Sequence, residues 1–265
     1  MTILELMVAV GLLAILMVAL FAALNQTQRA FRTGLNQVDV LETGRATMDL
    51  ISRGLQELTP SGRTNVVNLY IGPPDAPARV YPLSSGSWPA VLQEFYYLSR
   101  RNDQWIATKY SYEKTEWGSG VATLYRRTII LPWYAVQTLS TNSMIIDPAG
   151  VGGLVSTNYH RVAEGVVDLR LRAYNAQGYP VPNDPARGVR VVLGPSGFES
   201  YRFVGTNVPA YVDIELAVLD AGTLQGYRAR LSVPSLAQNY LTNRLGHVHL
   251  FRERVPIRSQ AFAAP

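Results

Sequence analysis

The chain contains no cysteine, which excludes disulfides, thiolate metal sites and a cysteine nucleophile. Its only lysines are Lys109 and Lys114, so a net charge of +5 rests almost wholly on arginine. His160, His247 and His249 are the only histidines, which leaves little from which to build an imidazole metal centre. No proline occurs before Pro60, so nothing in that stretch removes a helical hydrogen bond or clashes with the preceding turn. No Lys or Arg precedes Arg29. A secretory signal opens on a basic segment and ends at a small-residue cleavage site; here no basic segment opens the run, and a carboxylate, Glu5, stands at its head.

The first 24 residues instead read MTILELMVAVGLLAILMVALFAAL, with Glu5 as the one side-chain charge. From Leu6 to Leu24 nothing is ionisable. As a helix those residues reach roughly 28 Å, close to the hydrocarbon thickness of a bilayer. A carboxylate at the head of such a run costs about 2.5–3.5 kcal/mol on insertion scales and is usually paired and functional. The nearest fixed positive charge is the α-amino group of Met1, in the same subunit or in a neighbour. A pair between subunits would set how far one helix slides along the next. Gly11, Ala14, Ala19, Ala22 and Ala23 are the small residues that let apolar helices approach closely.

The run Thr2-Ile3-Leu4-Glu5-Leu6-Met7-Val8-Ala9-Val10 resembles the mature N-terminus of type IV pilins and type II secretion pseudopilins. That family has an apolar first residue, then Thr, two aliphatics and Glu at the fifth position, leading into the hydrophobic helix. The resemblance covers about the first quarter of the chain. It implies that a prepilin peptidase cuts just before Met1 and that the new N-terminus is methylated. It further implies assembly by an inner-membrane platform and an ATPase. Two departures stand out: Met1 replaces the usual Phe and could be an initiator methionine, and the C-terminal disulfide of many pilins is missing. Many shaft pilins also carry a Pro near position 22, where this chain has Ala22.

Past Leu24 the helical period continues but becomes amphipathic. Phe31, Leu35, Val38, Leu41, Met48, Ile51, Leu55 and Leu58 recur at steps of three, four or seven and form one apolar stripe. Asp49 and Arg53 stand at i,i+4 in the favourable order. Thr59-Pro60 should end the helix. A continuous helix of about 87 Å is expected, with residues 1–24 as membrane or filament core and 25–59 as the spine of the next domain. Gly34, Gly44 and Gly54 interrupt the spine and allow curvature or close contact.

Residues 60–265 read as one β-rich, mainly antiparallel head. Val66–Ile71 is a short strand, followed to residue 90 by proline-rich turns and extended chain. Val91–Leu98, Gln104–Tyr112 and Val121–Leu131 read as a meander. Ser143–Ile146 is a weaker strand before a loop over Asp147–Gly153. In Val166–Tyr174, Val167, Leu169, Leu171 and Ala173 share one face, with Asp168, Arg170, Arg172 and Tyr174 on the other. Tyr179–Phe198 is a Pro/Gly-rich excursion, and Tyr211–Leu219 alternates again. Pro234–Leu245 is expected to be helical, with a last strand at His247–Phe251. The fold class is α+β, a long N-terminal helix packed on a β-rich head, similar to the lollipop-shaped pilin fold. Val-Asp-Leu-Arg-Leu-Arg and Pro-Ala-Tyr-Val-Asp-Ile-Glu-Leu resemble segments of the larger J-type pseudopilins and W-type minor pilins.

Signals for catalysis are weak. His247 and His249 would share a strand face, at a spacing a metal could use, but no third ligand is evident. Asp213 and Glu215 form a carboxylate pair on the polar side of a strand, as a solvated sheet face also would. Gly150-Val151-Gly152-Gly153 is not a G-x-G-x-x-G loop, and Gly194-Pro195-Ser196-Gly197 lacks G-x-S-x-G spacing. No Asp-rich calcium loop occurs, and the scattered arginines match no nucleic-acid module. The expectation is a non-enzymatic structural subunit with no cofactor, held by membrane lipid before assembly and then by other copies or related subunits in a helical filament. Its expected place is the bacterial inner membrane, then a periplasmic or cell-surface filament. The alternative is a membrane-tethered enzyme or receptor domain that uses residues 1–24 only as an anchor.

Overall fold

The computed structural model describes residues 2–72, 79–83, 86–112, 120–132, 159–194 and 198–258. Helix α1 runs unbroken over Ile3–Gln56. A run of Leu, Ala, Met, Ile, Val and Phe without proline gives the backbone no reason to leave the helix. The expected ion pair forms, with Arg53 reaching Asp49 at 2.6 Å.

The head is an α+β unit whose strands are β1 Arg63–Ile71, β2 Arg79–Leu83, β3 Gly86–Ala90, β4 Phe95–Arg101, β5 Gln104–Tyr112, β6 Ala122–Pro132, β7 Tyr159–Tyr174, β8 Val189–Leu193, β9 Glu199–Gly205, β10 Tyr211–Leu219 and β11 Val248–Pro256. Nine of them form a curled sheet in the order β11-β10-β7-β6-β5-β4-β1-β9-β8, with antiparallel pairing throughout. β2 and β3 form a separate hairpin. This differs from the turns expected there: Pro82 and Pro89 are tolerated because a two-stranded ladder leaves each strand an open edge, where a missing N–H costs nothing.

Helix α1 packs on one face of this sheet, but only along its last third. Val40, Gly44, Thr47, Met48, Ile51, Ser52, Leu55 and Leu58 are buried. Met48, Ile51, Leu55 and Leu58 join Phe95, Tyr97, Leu169, Leu171, Val212, Ile214, Leu216 and Val255 in the main core. Phe31, Leu35, Val38 and Leu41 belong to the same stripe yet stay exposed. The spine therefore starts at Val40, later than the stripe alone suggests, because the head ends there. Two of the three glycines make close contacts: a Cβ at Gly44 would overlap the Phe251 ring, and one at Gly54 would overlap Tyr97. Gly34 faces open space.

Local departures from simple alternation have identifiable causes. Ala217 pairs with Asp168 but Val218 pairs with Val166, so Val167 is an extra residue in β7. This bulge turns Val166 toward the helix and sends Val167 to the opposite cluster with Leu219 and Leu224. That second cluster lies under α2 (Ala221–Arg228) and α3 (Pro234–Thr242), the former capped by Asp220, whose carboxylate accepts the Thr223 N–H at 2.8 Å. α2 was not expected. α3 stops three residues short of the expected Leu245, and a 3-10 turn covers Leu245–His247. The expected excursion over 179–198 contains β8, and the expected strand at 91 starts only at Phe95. Val91–Gln93 instead run beside β7, where Leu169 donates to the Val91 carbonyl at 2.7 Å and accepts from Gln93 at 3.0 Å. The weaker strand expected at Ser143–Ile146 and the loop after it lie outside the described residues.

Gln93 closes the curl. Its side chain is buried, accepts the Leu171 N–H at 2.8 Å and donates to the Glu199 carbonyl at 3.0 Å. It thereby ties β7 to β9 across the gap in the sheet. Segment 180–184 completes the seam, with Val181 donating to Ala173 and Asp184 exchanging backbone bonds with Val189.

Candidate functional site

The part of the chain least explained by its own fold is the N-terminal two-thirds of α1. Every described side chain from Thr2 to Asp39 is exposed. At 1.5 Å per residue this is a bare rod of roughly 55 Å. Its apolar stretch Leu6–Phe31 has mean hydropathy 2.8 and is 0% buried, so one helix is long and apolar enough to cross a membrane. Leu6, Met7, Val10, Leu13, Ile15, Leu16, Val18, Leu20 and Phe21 are all more than half exposed. Surface of this kind is not stable in water and marks an interaction site. Leu35 and Val38 extend it beyond the membrane-length segment.

The residues singled out from the sequence fall on this rod. Gly11, Ala14, Ala19, Ala22 and Ala23 are exposed helical residues. At 100° per residue they spread over an arc of roughly 180°, so they make two neighbouring strips of close approach rather than one seam. Nothing in the chain lies within 4 Å of a Cβ added at Gly11. The Glu5 backbone is in the first turn of α1. Met1 and the Glu5 carboxylate lie outside the described residues, and so does their expected pairing.

In the head, His247 and His249 do not share a strand. His247 closes the 3-10 turn with its Nδ1 3.1 Å from Asp220, and His249 lies in β11 opposite Val218. Burial pushes the Asp220 carboxyl up, but the two hydrogen bonds from Thr223 and the proximity of His247 outweigh it and leave the pKa lowered. No group of three potential metal ligands exists among the described residues. Asp213 and Glu215 do share a face, and arginines hold both. Arg254 grips Asp213 with two bonds of 2.6 and 2.8 Å, and Glu215 lies 3.3 Å from Arg252 and 3.6 Å from Arg170. Gly150–Gly153 and Pro195–Gly197 lie outside the described residues.

The residues missed from the sequence are Gln93, Asp168 and Arg170. Alternation put Asp168 and Arg170 on the outer face of β7 but said nothing of depth. Asp168 is fully buried because Val91 crosses over it, donating its N–H to Oδ1 at 2.7 Å. Burial raises the Asp168 pKa to about 6 from 3.8, against the lowering effects of Arg170 and the Val91 N–H. Arg170 is 9% exposed, donates to the Pro89 carbonyl at 2.6 Å and stacks over Phe198 at 4.7 Å. Comparison of the chain with protein-family models, with curated proteins and with solved structures returns no match.

Proposed function

We propose that this chain is a structural subunit of a helical filament of the type IV pilus or type II secretion pseudopilus kind. One observation carries the reading: a continuous helix whose first 55 Å or so bury nothing against the chain's own head. An anchor alone needs about 20 apolar residues. This rod goes further, with Leu35 and Val38 bare beyond the apolar stretch Leu6–Phe31. A membrane-tethered enzyme or receptor domain accounts for Leu6–Phe31 and leaves Leu35 and Val38 unexplained.

The mechanism is a transfer between two solvents. Lipid covers the apolar stretch Leu6–Phe31 while the subunit is stored in the inner membrane, and the rods of neighbouring copies cover the whole rod in the filament. Gly11, Ala14, Ala19, Ala22 and Ala23 permit close approach there. Two different strips meeting head to tail do not close into a ring, so they propagate as an open helix. The Glu5 carboxylate, paired with the amine of Met1, sets the axial register, and prepilin peptidase, platform and ATPase act before and during extraction. The absence of a helix break near Ala22 fits a minor or pseudopilin-like subunit better than a stretchable shaft pilin.

The test is Glu5→Ala. The variant inserts into the membrane at wild-type levels and joins filaments poorly, because a charge-assisted contact of about 1.5–3 kcal/mol corresponds to roughly 10- to 100-fold weaker association. Electron microscopy and fractionation of the expressing cells read both quantities. Wild-type incorporation of the variant sinks the register role of Glu5. An absence of filaments from cells making the wild-type chain with its assembly partners sinks the filament reading itself.

A further inference from the structure

At the seam where β7 fails to meet β9, a cleft of about 270 Å³ opens, lined by Gln93, Arg170, Arg172, Leu193, Phe198 and Glu199 among others. It lies at the end of the head remote from the bare rod. Along α1, Gly44 packs on Phe251 and Ser52 donates to Glu253, so β11 runs from the rod side outward; its far end, Pro256, pairs with Tyr211, which in turn pairs with Tyr174 two residues past Arg172.

Three features of the cleft point to one ligand chemistry. First, arginines line it at two depths, the inner one paired with Asp168 and Glu215. Arg170 is nine-tenths buried, and its Nε is buried without a hydrogen-bond partner. Arg172 is exposed and has no ion pair among the described residues, unlike Arg170 and Arg254, which already hold carboxylates. Second, Glu199 supplies acceptor oxygens at the same mouth, one of them bonded by the Tyr201 hydroxyl. A ligand there must present a negative group to Arg172 and hydrogen-bond donors to Glu199. Third, β8 offers an unfinished edge. Gly194 donates to Phe198 and Val204 donates to Gly188, so the even-numbered residues of β8 bond to β9 and the odd-numbered ones face outward. The outward N–H groups of Val189 and Val191 are met by the Asp184 carbonyl and the Asn183 Oδ1. That covering strip ends there. Leu193 is next on the same edge, 68% exposed, with no backbone partner among the described residues.

We propose that this seam cleft docks an extended peptide segment of a partner protein that carries an Asp or Glu side chain. The peptide backbone pairs with Leu193 and continues the half-strand begun by Asn183–Asp184. Its carboxylate sits on Arg172 beside the Arg170–Phe198 stack, and its next N–H faces Glu199. An acidic saccharide would satisfy the arginine and Glu199 but would make no use of the strand edge. The inference does not depend on filament assembly, since the cleft belongs wholly to the head.

The test uses the full-length protein in detergent micelles against a displayed library of random hexapeptides and, in parallel, an array of uronate-containing oligosaccharides. Expected is enrichment of extended peptides with Asp or Glu at one fixed position. Arg172→Gln should weaken their binding by roughly 10- to 100-fold, the worth of a charged hydrogen bond. Leu193→Pro removes only an outward N–H on an edge strand and should also weaken it by about tenfold at an unchanged thermal midpoint. Three results overturn the proposal: no peptide enrichment, enrichment indifferent to both substitutions, or uronate binding that depends on Arg172 while peptides do not bind. Circular dichroism melts of both variants verify that a loss of binding is not a loss of fold.

Discussion

At the scale of single residues, the head is held at its seam by buried polar groups that have few substitutes. Gln93 meets Leu171 and Glu199 at once, and its own N–H reaches Leu169. Gln93→Ala leaves the buried Leu171 N–H and the part-buried Glu199 C=O without this partner, at up to about 1–3 kcal/mol each. A loss of roughly 2–5 kcal/mol in urea unfolding is expected, and a loss under 1 kcal/mol would mean that the seam is not closed by this side chain. Asp168 gives a second test with a defined sign. Its pKa is raised in the fold, to about 6 from 3.8, so the native state binds the extra proton between those values. Stability from this group is therefore greatest below about pH 4 and declines as pH rises through about 6. A shift of about two units corresponds to about 2–3 kcal/mol. Arg170, Arg172, Glu215 and Tyr112 are the charged or titratable groups coupled to it. Asp168→Asn keeps an acceptor for Val91 and cannot titrate. The difference in unfolding free energy between the two proteins should shift in favour of Asn by that amount from pH 4 to pH 7; a flat difference contradicts the buried-acid account.

At the scale of elements, α1 has a bare part and a packed part that should respond differently to the same substitution. Gly34→Ala adds a methyl into open space on the bare rod, so it should favour the local helix by up to about 1 kcal/mol and leave the head's thermal midpoint unchanged. Gly44→Ala drives a methyl into the Phe251 ring, and should cost about 1–3 kcal/mol. Equal effects of the two, read from thermal midpoints of the same preparation, would place the helix differently on the sheet. The helix itself was legible from sequence because no proline breaks it over more than fifty residues and its glycines stand singly. The spans of β5 and β10 were legible to the residue, β5 from its aromatic and β-branched content between polar breaks and β10 from its clean alternation. Three things were not. A stripe from Phe31 to Leu58 records which side of the helix is apolar, not where the head ends. The bulge at Val167 is silent because an apolar residue suits either face of a strand covered on both sides. α2 carries two glycines in eight residues, and only its Asp220-x-x-Thr223 cap signalled a helix start. The candidate sites followed the same division: Glu5 and the small residues are visible as pattern, while Gln93, Asp168 and Arg170 owe their roles to a loop that crosses β7 from far away in sequence.

At the scale of the whole molecule, the chain is two objects with different solvents. The head buries its core without help from the first 39 residues, since the described side chains from Thr2 to Asp39 are all exposed. The rod has the reverse character: Leu6–Phe31 has nothing of its own to cover it. A fragment starting at Gln28 should therefore be soluble and monomeric, with the thermal midpoint of the full-length head. It retains the helix from Val40 onward and discards only surface that contributes nothing to the head's stability. A fragment starting at Leu50 is the opposing case. It loses Val40, Gly44, Thr47 and Met48, the side of α1 that meets Phe251 and the main core. Removing Val40 and Met48 alone uncovers side chains worth about 1.5–3 kcal/mol each, a large share of a marginal total. The longer fragment should melt in one cooperative transition and the shorter one should aggregate or melt many degrees lower. If the fragment from Gln28 aggregates or shows no transition, the bare rod is part of the core and the division of the chain at Val40 is wrong.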